Sequence, residues 1–308
     1  MWNRADPVAT RSESGISLPM VAPGFLDSPE VRRWLNGVEP AWTMLEFNSL
    51  NALRHEPSRT NHAIRLEPEL ANAEISGSAV TANVLLLLRR AAETGGLKLT
   101  ATGNLSRALV EEMCGIMEWP GYDKNELFGF HKGINEPDFF PLHFVRILTQ
   151  AAKLFRTYRG KLVPTPLGRK VLSGEQRGPL QALLFHVAFW RLNLGYFDRY
   201  AVDTWPQNEV GVVLWSLSAS AHVWLGRETL TRLCATPVVG ILESQWDFGS
   251  SAMEARILRP LWWFGLLEAR NEEKSATELV ARRLYRKAPL FDRFVKFNVE
   301  VEGSDIRH

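Results

Sequence analysis

The sequence predicts a mostly α-helical fold with small β-hairpins (α+β), built as two similar units in tandem behind an irregular N-terminal extension. Three observations predict it. From Asp138 to Leu172 a helix-period stretch leads into two short strand-like runs about Arg159-Gly160 and then into a short exit helix. A helix, a short strand and another helix precede that stretch. A shorter, degenerate version of the same order recurs from Ile257 to Arg293. The expected boundaries are residues 1–77 for the extension, 78–177 for the first unit and 178–308 for the second, Trp-rich one.

Taken in order, Met1 to about Ser28 has five Pro and Gly residues (Pro7, Gly15, Pro19, Pro23, Gly24) and no hydrophobic period, so it reads as extended chain. Ser28-Pro29-Glu30 is a helix start with Ser28 as cap, and Asn36-Gly37 ends that helix. Ser78 to Glu93 is amphipathic, with Val80, Val84, Leu87, Leu88 and Ala91 inward, and Gly95-Gly96 stops it. Leu97 to Thr100 alternates as a strand. A helix opening at Thr102 or Asn104 runs to about Met117, and Trp119 to Pro137 is loop or irregular insertion. Phe139 to Lys153 then places Leu142, Val145, Leu148 and Ala152 on one side and His143, Arg146, Gln150 and Lys153 on the other. Leu154 to Tyr158 and Lys161 to Thr165 form the hairpin.

Beyond Gly178 the helix through Leu183, Phe185, Phe189 and Leu194 is apolar on nearly every side, which predicts burial. Helices follow at Glu209 to Ala221, Arg227 to Cys234 and Ser251 to Phe264. Gly265 to Arg270, a polar tip from Asn271 to Ser275, and Leu284 to Phe297 complete the second copy, with Ala288-Pro289-Leu290 echoing Thr165-Pro166-Leu167.

The stretches Leu97-Lys98-Leu99-Thr100-Ala101-Thr102-Gly103-Asn104-Leu105 and Gly160-Lys161-Leu162-Val163-Pro164-Thr165-Pro166-Leu167-Gly168 carry a resemblance. They look like a bacterial winged-helix domain of the winged helix-turn-helix superfamily, over residues 78–173 and more loosely over 207–298. The likeness extends to uncharacterised bacterial proteins with this pattern and to transcription regulators of the same shape; membership implies a helix-turn-helix with a β-hairpin wing, identifies no operator, ligand or pathway, and does not by itself settle function.

Composition limits the function classes. The chain has 308 residues, 45% hydrophobic and 23% charged, with a net charge of +2, so nucleic acid would have to be held by local patches. Cys114 and Cys234 are far apart and lack metal-ligand spacing, which excludes a disulfide scaffold or structural zinc site. The start resembles no signal peptide, and no apolar run approaches the roughly 20 residues a spanning helix needs. A cytoplasmic protein, off the membrane and without a cofactor, is expected.

From Leu142 to Arg177 eight basic residues face a single acid, Glu175. Duplex DNA would meet His143, Arg146, Gln150 and Lys153 on the reading helix, and Arg156, Tyr158, Arg159 and Lys161 on the wing, because a helix fits the major groove and a wing meets backbone or minor groove. Arg282, Arg283, Arg286 and Lys287 occupy the same place on the second wing. Solvated basic residues on a helix face and a hairpin are the competing reading. Trp262, Trp263 and Phe264 are candidates for a protein interface with a partner or a second copy, and an interaction scaffold without DNA binding is the alternative function. No phosphate-loop, hydrolase or metalloprotease motif occurs; His131 near Glu136 and Asp138 is the only hint of acid/base or metal chemistry.

Overall fold

The computed structural model describes residues 24–122, 133–174, 177–198, 200, 202–242, 247–272 and 282–302. The expectations for Met1 to Pro23, His131, Glu175 and the tip beyond Glu272 lie outside the described residues. The chain divides into two compact units: Pro68–Leu192 with Trp263–Gly265, termed the first unit, and Met1–Glu67, Asn193–Trp262 and Leu266–His308, termed the second.

The second unit opens with helices α1 (Pro29–Leu35) and α2 (Phe47–Leu53) and strand β1 (Ile64–Leu66). Ser28 caps α1 as expected, its hydroxyl accepting from the Val31 N–H at 3.2 Å. Asn36 and Gly37 end it with φ of 49° and 78°. Val31, Trp42 and Leu53 are buried. Residues 24–67 are therefore not a separate irregular extension, because they supply apolar faces to the core of the second unit.

In the first unit, α3 (Ala79–Glu93), β2 (Leu97–Lys98), α4 (Arg107–Ile116), α5 (Phe140–Ala151), β3 (Phe155–Tyr158), β4 (Lys161–Pro164) and α6 (Pro166–Ser173) follow in order. Ser78 caps α3 through Thr81 N, and Gly95 and Gly96, at φ 64° and 109°, end it. The strands pair antiparallel in the order β2-β4-β3, with Tyr158 opposite Lys161 across the Arg159-Gly160 turn. Both turn residues have positive φ, 47° and 69°, which suits the right-handed twist of a tight hairpin. Thr165 caps α6 through Gly168 N at 3.1 Å. Helix α7 (Gly178–His186) packs with this unit rather than with the second, where the sequence reading put it. Gln181 on α7 shows why: it accepts from Ser78 and Thr81 and donates to the Phe264 carbonyl at 2.9 Å, all with little or no exposure.

The second unit repeats the order with α8 (Val210–Ser220), β5 (Leu225–Gly226), α9 (Arg227–Cys234), α10 (Val239–Leu242), α11 (Phe248–Met253) and, after a π-helical turn, α12 (Arg259–Trp263). Strands β6 (Leu267–Asn271) and β7 (Arg283–Lys287) form its hairpin, followed by α13 (Pro289–Phe294) and β8 (Val295–Phe297). The sheet order β5-β7-β6 matches that of the first unit. Strand β8 leaves the wing to pair with β1, Ile64 opposite Phe297. Both units thus follow a helix-strand-helix order with a later helix and a hairpin, in a mixed α+β fold. Cys114 and Cys234 are both buried and not joined in a disulfide, and burial pushes the Cys234 thiol up.

Candidate nucleic-acid interface

The helix expected to read DNA, α5 of the first unit, is sealed. On α5, Leu142, His143, Phe144, Val145, Ile147, Leu148 and Thr149 are all buried, so the helix has core on both sides. Its expected polar face closes on Glu136, a residue with no exposure. One Glu136 oxygen accepts from His143 Nδ1 at 2.9 Å and from Arg146 Nε; the other accepts from the Leu105 N–H at 2.7 Å. Arg146 also donates to Gln150 at 2.8 Å. Burial pushes the Glu136 carboxyl up, yet the His143 hydrogen bond, the Arg146 charge and the Leu105 N–H together outweigh it and hold the group below the usual carboxylate range. The expectation that His143 and Arg146 stand exposed for base edges is overturned: they compensate a buried carboxylate that comes from outside the helix. Gln150 is half-buried, while Lys153, past the end of α5 with φ 57°, is exposed.

The first wing does reach solvent. Arg156, Tyr158, Arg159 and Lys161 are all exposed, Tyr158 by 49%. The guanidinium carbons of Arg156 and Arg159 lie 5.5 and 5.2 Å from the centre of the Tyr158 ring, within cation–π range.

The second wing repeats this device with other residues. Arg270 on β6 and Arg286 on β7 lie over the Trp224 ring at 4.5 and 4.6 Å, next to the exposed Val223. Register explains the meeting: Arg270 faces Leu284 and Glu268 faces Arg286, so Arg270 and Arg286 are diagonal neighbours on one face of the sheet. Sequence reading missed Trp224 and Arg270, because only the strand register brings them together. Among the expected residues, Arg282 is exposed, and Arg283 lies over Trp262 at 5.2 Å with Glu254 3.9 Å away. Arg286 shares its charge with Glu268. Lys287 is a correction: its side chain is 8% exposed, donating to the Ser218 carbonyl at 2.9 Å and pairing with Asp292.

The expected protein interface at Trp262, Trp263 and Phe264 is covered largely by the chain itself. Trp263 is buried against Trp119, Phe140 and Phe144 with ring centres 5.3 to 5.6 Å apart, and Phe264 against Phe185 at 5.3 Å. Only Trp262 is half-exposed. The sequence reading undercounted the aromatic partners available to these rings. Among the described residues no cluster of His, Cys, Asp or Glu could hold a metal ion, and no helix is long and apolar enough to cross a membrane.

Fold and surface together define an α+β protein of two compact units, each with a hairpin that carries an aromatic ring under two guanidinium groups. Residues 76–178, close to the limits expected for the first unit, match the family described as the Y4jL N-terminal domain. An uncharacterised protein, y4jL, of Sinorhizobium fredii (strain NBRC 101917 / NGR234) is 38% identical over 86 residues, which is 28% of this chain and 39% of that protein. The likeness therefore spans well under two thirds of that relative. No solved structure matches the chain.

Proposed function

We propose that this chain is a cytoplasmic member of the winged helix-turn-helix superfamily that binds double-stranded DNA through its wings and acts in transcription regulation. The observation that carries the reading is the repeated device: Arg156 and Arg159 over the Tyr158 ring, and Arg270 and Arg286 over the Trp224 ring. An aromatic platform holds guanidinium groups in place at little entropic cost, and so held they suit phosphate oxygens or a narrow minor groove. With His143 and Arg146 committed to Glu136, base readout from α5 is confined to the margin at Gln150 and Lys153. Binding should then depend strongly on salt and only modestly on sequence.

The test is anisotropy of a labelled duplex titrated at several salt concentrations. Arg156→Ala/Arg159→Ala/Lys161→Ala should weaken binding about tenfold or more, and lower the salt slope by roughly one for each phosphate contact removed. Affinity unchanged in that triple variant and in Arg270→Ala/Arg286→Ala would sink the reading.

A specific observation favours the scaffold alternative. On the second unit Phe47, Val239 and Phe248 are 63%, 64% and 41% exposed, beyond what a closed core leaves out. Analytical ultracentrifugation distinguishes the two: a stable homodimer or captured protein partner, with no duplex affinity, supports a scaffold.

A further inference from the structure

The first unit carries a two-part cavity that the wings do not use. Helices α6 and α7 line a groove of about 580 Å³ with Leu167, Val171, Pro179, Leu180 and Leu183, and among the described residues Lys170 is the one charged residue in it. Leu167 is 41% exposed there. A second cavity of about 450 Å³ shares Val171, Gly174 and Leu180 with the first, and has the opposite chemistry: Asn72, Arg89 and Arg177 line it. The Asn72 side chain accepts from the Arg177 N–H at 3.0 Å, fixing one edge. Among the described residues, neither the Arg89 nor the Arg177 guanidinium has an acidic partner or a hydrogen bond, whereas Arg90, next to Arg89 on α3, is paired with Glu112.

We infer that this site binds a small amphiphilic anion, a carboxylate on an unbranched apolar tail, with the head between Arg89 and Arg177 and the tail along Leu167 and Leu183. Both guanidiniums line one cavity, and a carboxylate accepts from such forks in two parallel hydrogen bonds. The adjoining apolar groove removes the tail from water. Both volumes fall within the range of small-molecule sites. A partner helix fits less well, since α6 is eight residues, about 12 Å, long and offers two turns of contact. Through Thr165, whose hydroxyl donates to the Lys153 carbonyl at 2.7 Å, α6 continues directly from wing strand β4, so a bound ligand rests on the helix that holds the hairpin. The inference does not depend on DNA binding.

The experiment is calorimetric titration of the full chain with hexanoate, octanoate and decanoate below their micellar concentrations. Acetate, octan-1-ol and dodecyltrimethylammonium supply the head alone, the tail alone and the reversed charge. Affinity should rise about three- to fourfold per methylene. It should drop at least tenfold in Arg89→Gln/Arg177→Gln with the melting temperature unchanged, and Leu183→Asn should flatten the chain-length dependence. Absence of carboxylate binding, equal binding of the cationic amphiphile, or indifference to the double Arg substitution would each overturn the site. Binding of an acidic amphipathic peptide without binding of any carboxylate would overturn it too.

Discussion

Arg146 donates its Nε to Glu136, a carboxylate wholly withdrawn from solvent, at the helical position where a reading helix would offer a side chain to a base. The same carboxylate holds His143 and the N–H of Leu105, so one group joins the start of α4 to the middle of α5. Breaking a buried pair on one side leaves an uncompensated charge, which costs about 3–5 kcal/mol. Arg146→Ala should therefore destabilise the first unit on that order, as read by urea denaturation. A variant of undiminished stability that nevertheless lost duplex affinity would show instead that Arg146 reads DNA.

Acid should weaken the Glu136 hub. Its folded pKa lies below the ordinary 4.5, so the stability it contributes is present above 4.5 and is lost as pH falls through the folded value. The difference in unfolding free energy between the wild type and Glu136→Gln should narrow steadily as pH drops below about 4.5. Glu209, in the second unit, runs the other way. Burial raises it despite the Arg54 charge 3.0 Å away, so its contribution is complete below 4.5 and declines as pH rises through the raised folded value. Glu209→Gln should accordingly flatten the pH dependence above 4.5, not below it. Parallel slopes for the two variants would contradict these assignments.

Arg256, 1% exposed, is held by Asp198 through two bonds of 2.7 and 2.9 Å and donates to the carbonyls of Asp203, Trp205 and Tyr200. A guanidinium with five donors is the side chain that can tie so many acceptors at one point. Asp198→Asn removes the counter-charge and should cost about 3–5 kcal/mol. Limited proteolysis should cut faster near Tyr200 and Val202 in that variant; an unchanged digestion pattern would count against Arg256 as the organiser of this segment.

Close backbone approach sets three glycines apart, Gly168, Gly178 and Gly211. A Cβ on Gly211 would stand 2.1 Å from the Leu53 carbonyl oxygen, and one on Gly168 would stand 2.3 Å from that of Leu154. Backbone cannot step aside as a flexible side chain can. Gly211→Ala and Gly168→Ala should each destabilise by about 1–3 kcal/mol or more, visible as a lowered melting temperature. For Gly168 the loss should be confined to the first unit.

What the sequence determined by itself is the local grammar. Ser28, Ser78 and Thr165 cap helices where their side chains reach an N–H three residues on, Gly95-Gly96 and Asn36-Gly37 close helices by taking up positive φ, and Arg159-Gly160 turns the wing. These features depend on atoms within a few residues, so a single strand of text carries them, and the Pro-Leu steps at Thr165-Pro166-Leu167 and Ala288-Pro289-Leu290 each open a helix after a hairpin strand. Tertiary structure alone decided the rest. Helical period placed His143 and Arg146 opposite the apolar face of α5, but Glu136, reaching in from outside the helix, made that second face interior too. Strand register placed Arg270 beside Arg286, and their meeting with Trp224 spans residues more than forty positions apart. Pairing of β1 with β8 drew residues 24–67 into the second unit. In each case the deciding partner lies outside the element itself, from seven residues away for Glu136 and His143 to the far end of the chain for β1 and β8, and a buried charge or an unpaired strand edge is satisfied by whatever group the fold brings to it.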